Sequence, residues 1–336
     1  CIDSGAKLTG CSVSTVRIQP QGRTMYYAGL VGSTESKELG TAKSAPITVK
    51  SCAVSSVNMD PKNNRNCNQF GGIVGYLTAG SSVSDCYVSA VTASRNGNNQ
   101  YIGGLIGQIG SGTGTVVKNS YIEGCNFNAN ASVTTGSISI GSTGDANGTY
   151  SNLYYSNCSI IGPTTNGGIT GAGVSAANLT NGSVAWKLNT TNGTTANSLV
   201  WTQGEASPVL TSSNTKGTVK VTYKNPSGDV VCYTDSTGNV PVVPTPDEGY
   251  SWETEETAFS ADTTVNVSYI GAPFPTDYSN YDFTQHEAYQ INTVAQLVAF
   301  AGASKSYNFA NTTVHLMANL DYAASTYATT SFAGIG

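Results

Sequence analysis

Apolar and polar positions alternate along the first half of the chain. The segments VKSCAVSSV from Val49, VSDCYVSAV from Val83 and VKNSYIEGC from Val117 place a small or aliphatic residue at nearly every second position, the period of a strand buried on one face. An earlier copy, LTGCSVSTV, begins at Leu8. Before each of the later three lies a second pattern: residues 26–32 (YYAGLVG), 70–75 (FGGIVG) and 101–107 (YIGGLIG). Each is an aromatic, small residues with Gly, two aliphatics and a final Gly. A Gly/Ser/Thr-rich turn separates the two patterns in every copy.

The copies are evenly spaced. Cys52 to Cys86 and Cys86 to Ser120 are each 34 positions, and Cys11 lies 41 positions before Cys52. One such unit is too small to bury its own apolar face, so copies must stack, like residue on like, about 4.8 Å apart. The expected fold is therefore all-β: a right-handed parallel β-helix (solenoid), with a small β spacer domain and a short capping helix. A propeller blade would need a longer period and more strands.

The pattern changes after residue 160. In the stretch around Val174 and Asn189, Val184, Ala185 and Leu188 have helical spacing, and Ser175 is placed to cap the start. Trp186, Trp201 and Leu210 are expected to cover the open edge of the last coil. TVKVTYKNPSGDVVCYT from Thr218 has strands around Asn225-Pro226-Ser227-Gly228, a turn signal. Further on, QINTVAQLVAFAGAS from Gln290 puts Val294, Leu297, Val298 and Ala301 on one helical face with Asn292 as N-cap, before an alternating strand around Val314. The expected division is 1–160 coils, 161–213 closing segment, 214–271 spacer, and 272–336 an opening cap helix with the first strands of a following β-helix.

GLVG, GIVG and GLIG, each with its following strand, resemble the GLUG-motif repeats of bacterial surface proteins, including adhesins. The resemblance covers roughly residues 1–160. It implies a β-helix architecture and a bacterial cell-surface setting, and by itself no activity. Segment 183–210 is similar to the part that closes such β-helices, and the helix and strand after Tyr289 are similar to the part that opens one.

The two ends of the sequence look like halves of one repeat. Residues 332–336 (FAGIG) are close to FGGIVG, and the first residues lead into Cys11 as Gly75 leads into Cys86. Three explanations stand side by side: one unit of a tandem polyprotein, separate subunits joining head to tail into a filament, or coincidence in a fragment.

Composition agrees with many short strands and tight turns. Charged residues are 10%, with 38 Gly, where ordinary domains carry about 25% charge. The net charge of −5 comes with no basic cluster, which disfavours nucleic acid, and no apolar run is long enough for a membrane span. No signal peptide or anchoring motif is recognised, so the chain reads as one piece of a longer extracellular precursor. The eight cysteines contain no CxxC pair, and buried small residues are the expected role rather than a zinc site or disulfide framework.

Catalytic chemistry is hard to assemble. β-helix lyases and hydrolases need carboxylates clustered on adjacent coils, whereas Asp3, Glu35, Glu38, Asp60, Asp85, Glu123 and Asp145 fall at non-equivalent positions and read as solvated turn residues. The only histidines, His286 and His315, lie outside the repeats, with no cysteine nucleophile placed beside them. The acidic run Asp247-Glu248, with Glu253, Glu255 and Glu256, reads as a solvated edge. Tyr26, Tyr27, Tyr76, Tyr87, Tyr101 and Tyr121 recur around the repeats. They either pack and cover turns or offer stacking surfaces for sugars.

The expectation is therefore a structural or adhesive module of an extracellular bacterial surface protein or fibre, not an enzyme, with no catalytic, cofactor-binding or metal-ligating residue and no cofactor. Its expected partners are other copies of itself, and a host or environmental glycan or protein is an open addition. The alternative is a carbohydrate-binding or carbohydrate-active β-helix protein.

Overall fold

The computed structural model describes residues 5–19, 24–38, 41–44, 46–60, 67–94, 101–128, 136–161, 167–191, 194–195 and 199–327. Strands dominate, with three short α-helices among the described residues: α1 (Ala176–Thr180), α2 (Ser183–Leu188) and α3 (Val294–Ala303). The chain divides into two compact units. One comprises residues 1–220, 233–240 and 258–262, and the other residues 221–232, 241–257 and 263–336. Cys1, Asp3 and the FAGIG segment lie outside the described residues.

The first unit contains three parallel sheets. In the largest, Thr48–Lys50 pairs in register with Ser82–Ser84, which pairs with the start of Val116–Glu123, which in turn pairs with Thr149–Ser156. Lys7–Thr9 pairs with Thr48–Lys50, and Ser12–Ile18 with Ala53–Met59. The second sheet orders Thr24–Ala28, Cys67–Gly71, Tyr101–Gly103 and Gly136–Ser137. The third orders Val31–Ser33, Val74–Leu77, Ile106–Ile109 and Ile140–Thr143.

These registers place like on like. Val54, Val88 and Ile122 form one inward row and Val49, Val83 and Val117 another, all with no exposed surface. Full burial of each such side chain contributes about 1.5–3 kcal/mol. The rows join Phe70 and Ile140 of the other two sheets, and Ile73 and Leu105 of the bends between those sheets, in a single core.

Two corners interrupt the largest sheet, and both are rows of left-handed backbone. Gly10, Ser51, Asp85, Asn119 and Asn152 have φ of 67°, 52°, 55°, 50° and 50°. Five residues on, Thr15, Ser56, Ala90, Gly124 and Asn157 have φ of 57°, 54°, 51°, 60° and 48°. Gly and Asn adopt this region readily, while Thr and Ala do so at a cost. Stacking imposes the corner on every copy once neighbouring copies fix it.

The final Gly of the motif has a separate reason in the copies after the first. A Cβ on Gly75 would stand 2.5 Å from the Gly32 carbonyl oxygen, on Gly107 2.6 Å from that of Gly75, and on Gly141 2.5 Å from that of Gly107. Only hydrogen fits where these backbones approach.

The closing segment differs from expectation in where it packs. Ser175 caps α1, accepting from the Asn178 amide, and Val184, Ala185 and Leu188 of α2 are buried. Trp201, with Leu179, Val184 and Leu188, packs on Tyr121, flanked by Tyr87, Tyr154 and Leu210. That is the outward side of the largest sheet and not its last edge, because Tyr121 and its row neighbours offer a broad apolar surface there. Trp186 takes no part: its indole N–H donates to the Asp262 carboxylate at 3.1 Å, and Lys220 Nζ sits 4.7 Å above its ring. The strand Thr149–Ser156 is extended instead by Ala172–Gly173, in parallel.

In the second unit, Ala272–Pro273, Ala288–Ile291 and Thr313–Leu316 form a parallel sheet under α3. Thr293, not Asn292, is the N-cap of α3, because Thr293 and Gln296 form a reciprocal capping box. The buried residues of α3 include Phe300, Ala301 and Ala303, while Val294 and Val298 are only half-buried. Phe300 is drawn in by an aromatic cluster in which Phe274 lies 5.3 Å from both Phe283 and Phe300. The same unit holds an antiparallel pair, Tyr250–Trp252 with Val267–Tyr269.

Candidate functional site

At the corners followed by Cys or Ser, that residue closes the turn. Cys86 Sγ donates to the Ser84 carbonyl at 3.2 Å, Cys52 Sγ to Lys50 at 3.3 Å, and Ser120 Oγ to Lys118 at 2.9 Å. At the second corner, Cys125 Sγ donates to Glu123 at 3.4 Å and Cys158 Sγ to Ser156 at 3.1 Å. The carbonyl before each of these corners already accepts an amide of the neighbouring row, as Ser84 does from Ser51 at 3.1 Å, and the short side chain adds a second donor to it. The cysteines are thus inward hydrogen-bond donors as well as apolar fillers, which spacing alone did not reveal. The six cysteines whose state is described are free thiols. Its hydrogen bond with Cys52, together with burial, pushes the Cys86 thiol up, and the hydrogen bond with Cys158 and burial do the same to Cys125.

Two carboxylates expected in solvent are buried. Asp145 has no exposed surface and accepts from the Thr115 amide at 2.8 Å and the Asn147 amide at 3.1 Å, so it fastens a turn. The Thr115 amide hydrogen bond, chief among such contacts, holds its carboxyl below the usual range. Asp85 is 4% exposed, and its Oδ1 has no hydrogen-bond partner. Burial pushes its carboxyl up. The cause of its burial is positional: Asp85 occupies the corner row, whose outward side is roofed by Leu188 and Val200.

A cavity of about 330 Å³ lies there, bounded by Lys50, Asp85, Lys118 and Asn119 with that apolar roof. Asn119 Oδ1 accepts from Asn152 Nδ2 at 3.1 Å. Neither lysine forms an ion pair among the described residues.

The remaining candidates stay apart. Asp60 pairs with Arg17 at 2.9 Å, and Glu123 accepts from the Tyr87 hydroxyl at 3.0 Å. The side chains of Glu35 and Glu38 lie outside the described residues. Asp247 is occupied by the Ser227 amide and hydroxyl at 2.6 and 2.7 Å. His286 packs edge-on against Tyr289, 5.6 Å between centroids, whereas His315 sits in register with Gln290. Tyr121 is fully buried and stacks on Tyr87 at 5.8 Å, and Tyr26 lies 4.9 Å from Tyr76. Among the described residues no group of three or more His, Cys, Asp or Glu is placed to hold a metal ion. No described helix is long and apolar enough to cross a membrane.

No protein-family model, curated protein or solved structure matches the chain.

Proposed function

We propose that the parallel sheets of the first unit are the successive coils of a right-handed β-helix, and that the chain is a structural or adhesive module of an extracellular bacterial surface protein or fibre. In this reading coils continue beyond the chain's first described row, by tandem continuation or by head-to-tail addition of another copy. The carrying observation is the state of that row. Leu8, Cys11, Val13, Val16 and Ile18 are only partly buried, while Val49, Cys52, Val54, Val57 and Met59, one position along the stack, are at most 1% exposed. Among the described residues Ser12–Ile18 has one neighbouring strand. An unpaired strand edge with a half-open apolar row is a template for another strand.

The dispersed carboxylates and separated histidines support a non-catalytic role. The low charge and the GLUG-like motifs support an extracellular bacterial setting. The second unit, in this reading, spaces one β-helix from the next and opens the following one.

Electron microscopy and light scattering of the purified chain test this. Elongated, concentration-dependent assemblies are expected. Compact monomers at every concentration would contradict head-to-tail addition.

A further inference from the structure

We propose, on the reading that copies add head to tail, that the free first row of one chain is covered by the outer edge of Thr313–Leu316 in a second copy. That edge is open in the same way as the first row. Leu316 is 64% exposed, although Ile291, its partner in register, is 2% exposed. Val314 is half-buried beside Tyr289, which has no exposed surface, and Met317 is 43% exposed. Among the described residues Thr313–Leu316 has Ala288–Ile291 as its one neighbouring strand. Large apolar side chains along an unpaired edge invite a further strand.

Strand order decides which edge fits. Ala272–Pro273, Ala288–Ile291 and Thr313–Leu316 are parallel and add in chain order, so their open side is where a later coil belongs. Lys7–Thr9, Thr48–Lys50 and Ser82–Ser84 also add in chain order, and their open side is where an earlier coil belongs. Thr313–Leu316 of one copy beside Lys7–Thr9 of the next keeps every strand parallel. Both half-open rows then gain a neighbour, Val314 and Leu316 on one side and Leu8, Val13 and Val16 on the other. Two identical edges would meet antiparallel about a twofold axis and break the parallel ladder. The contact is therefore heterologous.

Charge favours the same pairing. The second unit holds ten Asp and Glu against two Lys, a formal charge of −8, and the first holds thirteen Lys and Arg against ten Asp and Glu, +3. Unlike units attract, and two second units repel. Exposed Lys7 on the first row forms no ion pair among the described residues. Glu287, whose carbonyl accepts from the Thr313 amide at 3.0 Å, is exposed at the start of the proposed edge.

Sedimentation velocity of full-chain variants tests the pairing. Leu316→Asp alters an exposed residue and should keep the wild-type melting temperature; Met317→Asp is a second variant of the same edge. Both lose the edge and keep the first row. Gly32→Ala keeps the edge but puts a Cβ in the path of a docking backbone, as at Gly75, where a Cβ would stand 2.5 Å from the Gly32 carbonyl oxygen. Each variant alone should be monomeric, and an equimolar mixture of Leu316→Asp with Gly32→Ala should form a heterodimer and nothing larger. Its dissociation constant should rise on the order of tenfold from about 0.05 to about 0.5 M NaCl, as opposite charges are screened. Assembly by any variant alone, a mixture that stays monomeric, or a heterodimer that tightens with salt overturns the proposal. A monomeric wild type would remove head-to-tail addition altogether, whereas wild type and Leu316→Asp that assemble alike would overturn the choice of edge alone.

Discussion

Cys86 and Ser120 do the same job one row apart: each donates from its side chain to the carbonyl two residues before it, at 3.2 and 2.9 Å. Ser120 Oγ also accepts from the Cys86 amide at 3.1 Å. A hydroxyl therefore replaces a thiol here without loss of the corner. Cys86→Ser should cost less than about 1 kcal/mol. Cys86→Val removes the donor and adds bulk, and should cost about 1–3 kcal/mol. Denaturant midpoints of the two variants check this.

The same row predicts thiol behaviour. Cys52 and Cys86 lie in register on parallel strands, about 4.8 Å apart, and both are free thiols. Cys52, Cys86 and Cys125 should stay unmodified by thiol reagents in the native state and react on unfolding, while half-exposed Cys158, whose thiol pKa is lowered by its hydrogen bond with Cys125, reacts first. Peptide mass mapping with and without denaturant gives the order, and a Cys52–Cys86 disulfide in the native protein would contradict it.

Val88 is fully buried between Val54 and Ile122. Val88→Asp places an unpaired carboxylate there and should cost about 3–5 kcal/mol, enough to lower the melting temperature sharply. Ile122→Val, a change of one methylene, should cost about 0.5–1.5 kcal/mol. Equal melting temperatures for wild type and Val88→Asp would show that the assigned register is wrong.

Asp85 makes stability pH-dependent in an unusual sense. Burial raises its carboxyl above the ordinary value of 3.8, against the opposing pull of Ser84, Lys50, Asn119 and Lys118. The protonated form is therefore favoured by folding: its contribution is complete below the unfolded value and is lost as pH rises through the folded one. Asp85→Asn, which suits a left-handed corner, should then be more stable than wild type at neutral pH. The difference should shrink as pH falls toward 3.8. Melting curves from pH 3 to 8 would refute this if the gap widened in acid.

Much of the parallel pairing was legible because spacing and alternation coincide: the offset between Cys52 and Cys86 is the offset between Val49 and Val83, which pair. The corners were not, because Thr15, Ser56 and Ala90 carry no turn signal and take left-handed backbone only from their neighbours in the row. The candidate site was also hidden. Nothing local to Asp85 announces burial; the cover comes from Leu188 and Val200, about a hundred residues on. Trp186 likewise depends on Asp262 and Lys220, contacts outside any window of periodicity.

The central claim concerns the free side of the first row, and Gly32 probes it. In Gly75, Gly107 and Gly141 an added Cβ strikes the preceding row, whereas in Gly32 the only atom it would meet among the described residues is the Tyr26 oxygen at 3.4 Å. Gly32→Ala should therefore fold as stably as wild type while blocking any coil that docks on it, and Gly107→Ala should cost about 1–3 kcal/mol. Sedimentation velocity of wild type and Gly32→Ala across a concentration series is the direct measurement. The account predicts assemblies that grow with concentration for wild type and a monomer of unchanged stability for the variant. Identical sedimentation of the two chains at every concentration would contradict it.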